Sequence, residues 1–206
     1  MKFSKVQFVY IDIKYLEYMN STDSEIFFDK NNEEYKLKPH LGILLNNDGK
    51  EYVIPLTSAK EKHMIWKDVT ADWYRIYEII DTRTVHTSST DVVVDIKNQD
   101  ILKNIALEEQ PYFKQRILAV LDIRKMFPIK KGVYTEIQFN LGNNVSKEEK
   151  QRNALMLKEY LFLDDRKDKI EEKATKIYEK QVSKGKVLPY CCDFKKLEKA
   201  CDEYEV

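Results

Sequence analysis

The sequence holds 206 residues, and its 35 Lys and Arg balance 35 Asp and Glu to a formal net charge of zero. That length builds a core for one domain, and 5 glycines with 5 prolines exclude collagen-like or low-complexity chains. No run reaches the roughly 18 apolar residues of a membrane span, and the zero balance speaks against a chain that coats nucleic acid indiscriminately.

Phe3 to Ile13 mixes apolar and polar residues in rough alternation and is rich in β-branched and aromatic types, which predicts a strand. Residues Met1 to Tyr15 lack the continuous apolar centre of a secretory signal. Tyr15 to Met19 crowd into an expected helical turn, and polar Asn20 to Glu34 reads as a loop. Leu41–Leu45 and Tyr52–Ile54 flank Asn46-Asn47-Asp48-Gly49, a hairpin signal, because glycine accepts the positive φ of a tight turn. Further strands are expected at Trp73–Ile80, Asp91–Ile96, Arg116–Phe127 and Val133–Phe139, with Pro128 ending or bending the chain after Phe127.

At Ser146 the period changes. Ser146-Lys147-Glu148-Glu149 has capping-box spacing, followed by Ala154, Leu155, Leu157, Tyr160 and Leu161 at helical intervals. A second helix is expected from Arg166 to Lys184, stopped by Gly185, and a third behind Asp193. The result is an α+β fold with a mostly antiparallel sheet. It forms one domain over 1–206: a sheet core over 1–145 and a helical part over 146–206.

Three cysteines, Cys191, Cys192 and Cys201, make a poor disulfide framework and point to a reducing, cytoplasmic compartment. Histidines at 40, 63 and 86 are too scattered for a zinc site, and no metal or cofactor motif is present. Thr57-Ser58-Ala59-Lys60 supplies two hydroxyls and an ammonium, the groups that hold a phosphate. The same tetrapeptide also fits a strand running into a solvated turn. A Gly-x-Ser-x-Gly elbow is absent, which disfavours a serine hydrolase. Lys169, Lys173, Lys176, Lys180 and Lys184 recur every three or four residues, so one helical face carries all five. That face is either a phosphate-binding ridge or a solvated surface with internal ion pairs. Tyr15, Tyr18 and Tyr35 lie beside polar loops where bases of single-stranded RNA could stack, and His63, as a histidine, could act as acid or base near pH 7.

Four landmarks in chain order carry a resemblance. Lys14-Tyr15-Leu16-Glu17-Tyr18-Met19 opens the chain. Leu41-Gly42-Ile43-Leu44-Leu45 then leads through the turn to Tyr52-Val53-Ile54-Pro55-Leu56-Thr57-Ser58-Ala59-Lys60. Met126-Phe127-Pro128-Ile129 and Cys192-Asp193-Phe194-Lys195-Lys196-Leu197-Glu198 complete the set. The sequence resembles the ToxN/AbiQ family of type III toxin–antitoxin endoribonucleases, which includes CptN-like toxins. The resemblance implies a strongly twisted antiparallel sheet related to the Kid/MazF-like barrel, surrounded by helices. It implies metal-independent RNA cleavage to 2′,3′-cyclic phosphate and 5′-hydroxyl ends, with no cofactor. The partners it implies are a repeated, pseudoknotted antitoxin RNA and cellular or phage RNA, in a closed RNA–protein hetero-oligomer with no membrane attachment. Thr57 and Ser58 would grip the non-bridging oxygens, Lys60 would neutralise the transition state and act as acid, and Tyr15 would orient sugar or phosphate. Tyr35, Lys38 and His63 match positions around the same site. A non-catalytic RNA-binding scaffold and a barrel toxin neutralised by a protein are the rival readings.

Overall fold

The computed structural model describes residues 1–29, 31, 37–142 and 144–206, so Tyr35 lies outside the described residues. β1 (Lys2–Ile11) buries Phe8, Val9 and Ile11. Asp12 ends it, its carboxylate accepting the N–H of Lys14 at 2.9 Å and of Tyr15 at 3.1 Å to start α1 (Ile13–Thr22). The expected hairpin forms from β2 (His40–Leu45) and β3 (Glu51–Ser58). In its turn Asn46 Oδ1 accepts from Asp48 N at 3.0 Å and Lys50 N at 2.9 Å. Gly49 adopts φ of 79°, where a side chain would be strained.

The remaining strands are β4 (Trp73–Asp81), β5 (Val92–Asp95), β6 (Phe113–Asp122), β7 (Phe127–Ile129) and β8 (Tyr134–Glu136). They are joined in the order β4-β6-β3-β2-β1-β8, with β5 added to β6 and β7 to β3. All pairings are antiparallel. The path ends at β4 and β8, which do not pair, so the sheet is open and the expected barrel closure is not found. β8 has only three residues and pairs with β1, while β4 is packed against a helix through Tyr77 and Phe162. The expected strand Arg116–Phe127 also breaks. Asp122 accepts from Arg124 N at 3.2 Å and starts a 3-10 turn at Ile123–Lys125. Pro128 sits inside β7, opposite Tyr52.

After the short α2 (Gln99–Leu102) come α3 (Lys147–Asp164), α4 (Lys167–Lys184) and α5 (Phe194–Glu203). Three of their boundaries are those that the capping residues predict. Ser146 Oγ accepts from Glu149 N at 3.1 Å, Gly185 takes a left-handed φ of 55°, and Asp193 accepts from Lys196 N at 3.1 Å. One apolar cluster runs from Phe8 through Leu121 and Ile177 to Leu197 and Cys201, so the helices share the sheet's core. All three cysteines are buried and free, and burial raises the Cys191 thiol to about 11.

A polar strut crosses that core. Glu198 Oε1 accepts from the hydroxyls of Tyr52 and Tyr178, each at 2.7 Å, and from Asn46 Nδ2 at 3.1 Å. Lys195 Nζ reaches Oε2 at 2.8 Å. One carboxylate on α5 thereby ties α4 to the turn and to the second strand of the β2–β3 hairpin.

Candidate active site and basic groove

β3 carries the chain from this strut to Thr57 and Ser58 at its far end. There it has left β7 for β6, with Thr57 opposite Val120 and Ser58 opposite Ala119. Thr57 is half-buried, and Ser58 and Lys60 are exposed. Among the described residues, neither hydroxyl nor the Lys60 ammonium has a protein hydrogen-bond or ion-pair partner. Such unpaired donors suit an external anion.

The other side of β3 brings in Lys38. His40 pairs with Pro55, and Leu56 N donates to Pro39 O at 3.2 Å. Continuing that register sets Lys38 opposite Thr57, while strand alternation directs Ser58 and Lys60 to one common side. The four groups straddle the strand end. Burial, assisted by the charge of Lys60, lowers Lys38 to about 8. The exposed Phe27 ring lies 5.5 Å from the Lys38 ammonium.

His63 occupies a different place from the one expected of an RNA contact. Only 2% of it is exposed, in the 3-10 turn Glu61–Ile65. Its Nδ1 accepts the backbone N–H of Lys60 at 3.0 Å, and its own backbone N–H donates to Lys60 O at 2.8 Å. Tyr15 also departs from expectation. It is fully buried, donates its hydroxyl to Pro128 O at 2.7 Å, and meets the Tyr204 ring edge-on. Pro128 pairs with Tyr52, five positions along β3 from Thr57, roughly 16 Å at the usual strand rise. Tyr15 is therefore a core residue here, its hydroxyl engaged by the backbone of β7.

Arg75 and two tryptophans carry no signal in the sequence beyond strand pattern, yet they shape the site. The Arg75 guanidinium donates to His63 O at 3.0 Å and Met64 O at 3.2 Å, and is held by Asp68. Gln115 Nε2 donates to the same Asp68 oxygen at 2.8 Å. Trp66 packs edge-on to His63 at 4.8 Å and against Trp73 at 4.7 Å, with the Arg124 guanidinium 5.3 Å from the Trp73 ring.

Asp68 also belongs to the rim of a groove of about 800 Å³ between α4 and β4. Lys169, Lys173, Lys176 and Lys180 line it, with Tyr74 and Phe162 among its apolar residues. Lys184 is exposed and lies beyond this lining. The stripe is less purely basic than its spacing suggests. Glu172 also lines the groove and pairs with Lys176 at 2.5 Å, while Lys173 donates to Thr70 O and lies 5.4 Å from the Tyr74 ring centre. Lys169 and Lys180 keep their charges unpaired among the described residues.

The family model for toxin ToxN of type III toxin–antitoxin systems matches residues 7–202. The chain belongs to that family. It is 26% identical over 202 residues to the endoribonuclease ToxN of Bacillus thuringiensis subsp. kurstaki, spanning 95% of this chain and 82% of that protein. Solved structures agree in fold. One is of a bacterial type III system whose toxin is selectively inhibited by a non-coding RNA pseudoknot. It is 23% identical, with a TM-score of 0.65 and 98% of each chain covered. Another is AbiQ, a lactococcal anti-phage endoribonuclease of the type III class, 19% identical at a TM-score of 0.65 over 97% of each chain. This ToxN-family chain thus shares its α+β architecture across nearly its full length.

Proposed function

We propose that this chain is the endoribonuclease toxin of its type III system, working in the cytoplasm as a single domain and held in check by a repeated, pseudoknotted antitoxin RNA. The observation that carries the reading is the end of β3. Thr57, Ser58 and Lys60 present unpaired donors beside a lysine whose pKa lies near 8. Hydroxyls and ammonium groups suit the negative charge of a crowded phosphorane, a donor set unlike the carboxylates that hold a hard cation.

In the proposed reaction neutral Lys38 takes the proton from the 2′-hydroxyl. The oxygen bonds to phosphorus, and the bond to the 5′-oxygen breaks, leaving a 2′,3′-cyclic phosphate. Ser58 and Thr57 donate to the non-bridging oxygens, and Lys60 opposes their charge and protonates the departing 5′-oxygen. The lysine groove beside α4 binds the RNA backbone through Lys169 and Lys180 above all, in a closed assembly of toxin and antitoxin repeats. Target RNA of the host or of an infecting phage enters the same site. Tyr35, by its position near Lys38 in the sequence, is placed with these contacts.

The test is incubation of the purified protein with RNA in excess chelator, with end-group analysis of the products. Cyclic phosphate and 5′-hydroxyl ends are expected. Intact RNA with binding retained would instead assign the chain the role of a non-catalytic scaffold.

A further inference from the structure

The geometry points to His63 as a positioning residue: its neutral Nδ1 accepts the Lys60 backbone N–H and thereby fixes where the Lys60 side chain leaves β3. This deepens the reading of Lys60 as a group acting on RNA and rests on it.

A backbone N–H can only donate, so at 3.0 Å the Nδ1 opposite it must carry a lone pair. The proton of the neutral ring then sits on Nε2. Two further bonds close the turn around this contact: His63 N to Lys60 O at 2.8 Å and Trp66 N to His63 O at 3.2 Å. Arg75 braces the same carbonyl from β4, so the ring is held from behind as well as along its own segment. Lys60 is extended, at φ −139° and ψ 158°, and its side chain has no partner among the described residues. Without the ring, the Lys60 N–H loses its acceptor and this residue just past the strand is held to the turn through its carbonyl alone.

Protonation of Nδ1 would convert the acceptor into a donor facing a donor. The charges around the ring oppose that step. Burial comes first, followed by Lys62 and Lys60 on its own segment and Arg75 from β4, and together they hold the imidazole below its ordinary value. On its own segment Glu61 is exposed to solvent, and the other counter-charges are engaged elsewhere: Asp68 with Arg75 and Gln115, and, on β5 and its approach, Asp95 with Lys114 and Asp91 with Arg116. The clamp is therefore closed at neutral pH and opens only in acid, when His63 gains its proton. The consequence is an acid limb in the cleavage rate that belongs to His63 and adds to whatever slope the proton-transferring groups produce.

The experiment compares wild type with His63→Asn, whose Oδ1 reproduces the Nδ1 acceptor without titrating, and with His63→Leu, which has no acceptor. Single-turnover cleavage is followed from mildly acidic to weakly alkaline pH. Binding is measured in parallel with an RNA carrying a 2′-deoxy sugar at the scissile position. Expected are an additional unit of slope in acid for wild type, loss of that unit in His63→Asn with near wild-type neutral rates, and a fall of about a hundredfold for His63→Leu. Binding of the uncleavable RNA should be similar in all three. An acid limb that persists unchanged in His63→Asn would overturn the proposal, as would equal rates for the Asn and Leu variants. If wild type cleaves no RNA at all, the nuclease reading fails first, and that outcome is distinguishable from either of these.

Discussion

Replacing Glu198 by Ala should cost about 4 kcal/mol of folding stability. The figure follows from two buried hydroxyls left without an acceptor and from an amide, Asn46, that keeps only its bond to the Tyr178 hydroxyl at 3.1 Å. The hydroxyls of Tyr52 and Tyr178 each lose a charge-assisted bond worth about 1.5 kcal/mol, and Asn46 loses a weaker one of about 1 kcal/mol. The Lys195 side chain is 51% exposed, so its ion pair adds little. Against a total stability of roughly 5–15 kcal/mol, the loss is large enough to shift a denaturant midpoint plainly. The decisive assay is a double-mutant cycle by equilibrium unfolding at neutral pH. Tyr52→Phe should destabilise the wild type by more than about 1 kcal/mol, yet be neutral or favourable when Glu198 is already Ala, because the hydroxyl is then an orphan. Equal effects in the two backgrounds, or a Glu198→Ala cost below about 1 kcal/mol, would refute the account. The carboxyl also sets a pH dependence. Burial pushes it up, but hydrogen bonds from Lys195, Tyr52 and Tyr178 bring it below its ordinary 4.5. Its contribution is thus complete above 4.5 and disappears as the pH falls through the lower folded-state value.

Three further outcomes are expected. Ser58→Ala and Lys60→Met should each lower the cleavage rate by about a hundredfold or more with unfolding midpoints unchanged, and wild-type rates in either would remove that residue from the mechanism. If Lys38 receives the 2′-hydroxyl proton, the rate should climb tenfold per pH unit up to about 8 and then level, and Lys38→Met should lose that climb; a profile flat through neutrality in wild type would exclude the role. Reversing Lys169 and Lys180 to Glu should weaken RNA binding and reduce the steepness of its salt dependence by about 0.7–0.9 for each phosphate no longer neutralised, whereas an unchanged slope would make the α4 stripe an ordinary solvated face.

Local signals in the sequence locate most of the fold. The Asn-Asn-Asp-Gly turn, Ser146, Gly185 and Asp193 each dictate a boundary through their own backbone chemistry, and the structure obeys them. Asp12 is a cap of the same kind, hidden in the sequence by the apolar run on either side of it. Sheet closure is a long-range property of strand lengths and partners, and nothing local to β8 or β4 announces that the sheet stays open. The break at Ile123–Lys125 leaves no mark in the pattern, because its residues are as apolar and charged as the strand around them. At the site, residue type reveals Thr57, Ser58 and Lys60, but not what surrounds them. Tyr15 and His63 look like reactive groups by composition and are both buried. Helical spacing places five lysines on a face yet does not show that Glu172 bends back onto it. Lys38 owes its altered proton affinity to burial and to Lys60, more than twenty positions away, and no window along the chain contains either cause.

Trp66 and Trp73 are the two tryptophans of the sequence, and they lie in one aromatic cluster beside His63. Indole emission from this protein thus has a single origin, undiluted by a reporter elsewhere. An imidazolium quenches a neighbouring indole more strongly than a neutral imidazole does, so the emission intensity should titrate with the ring that touches Trp66. The molecule carries its own optical probe within a few residues of the lysine on which its chemistry is proposed to depend, and no label is needed to watch that turn.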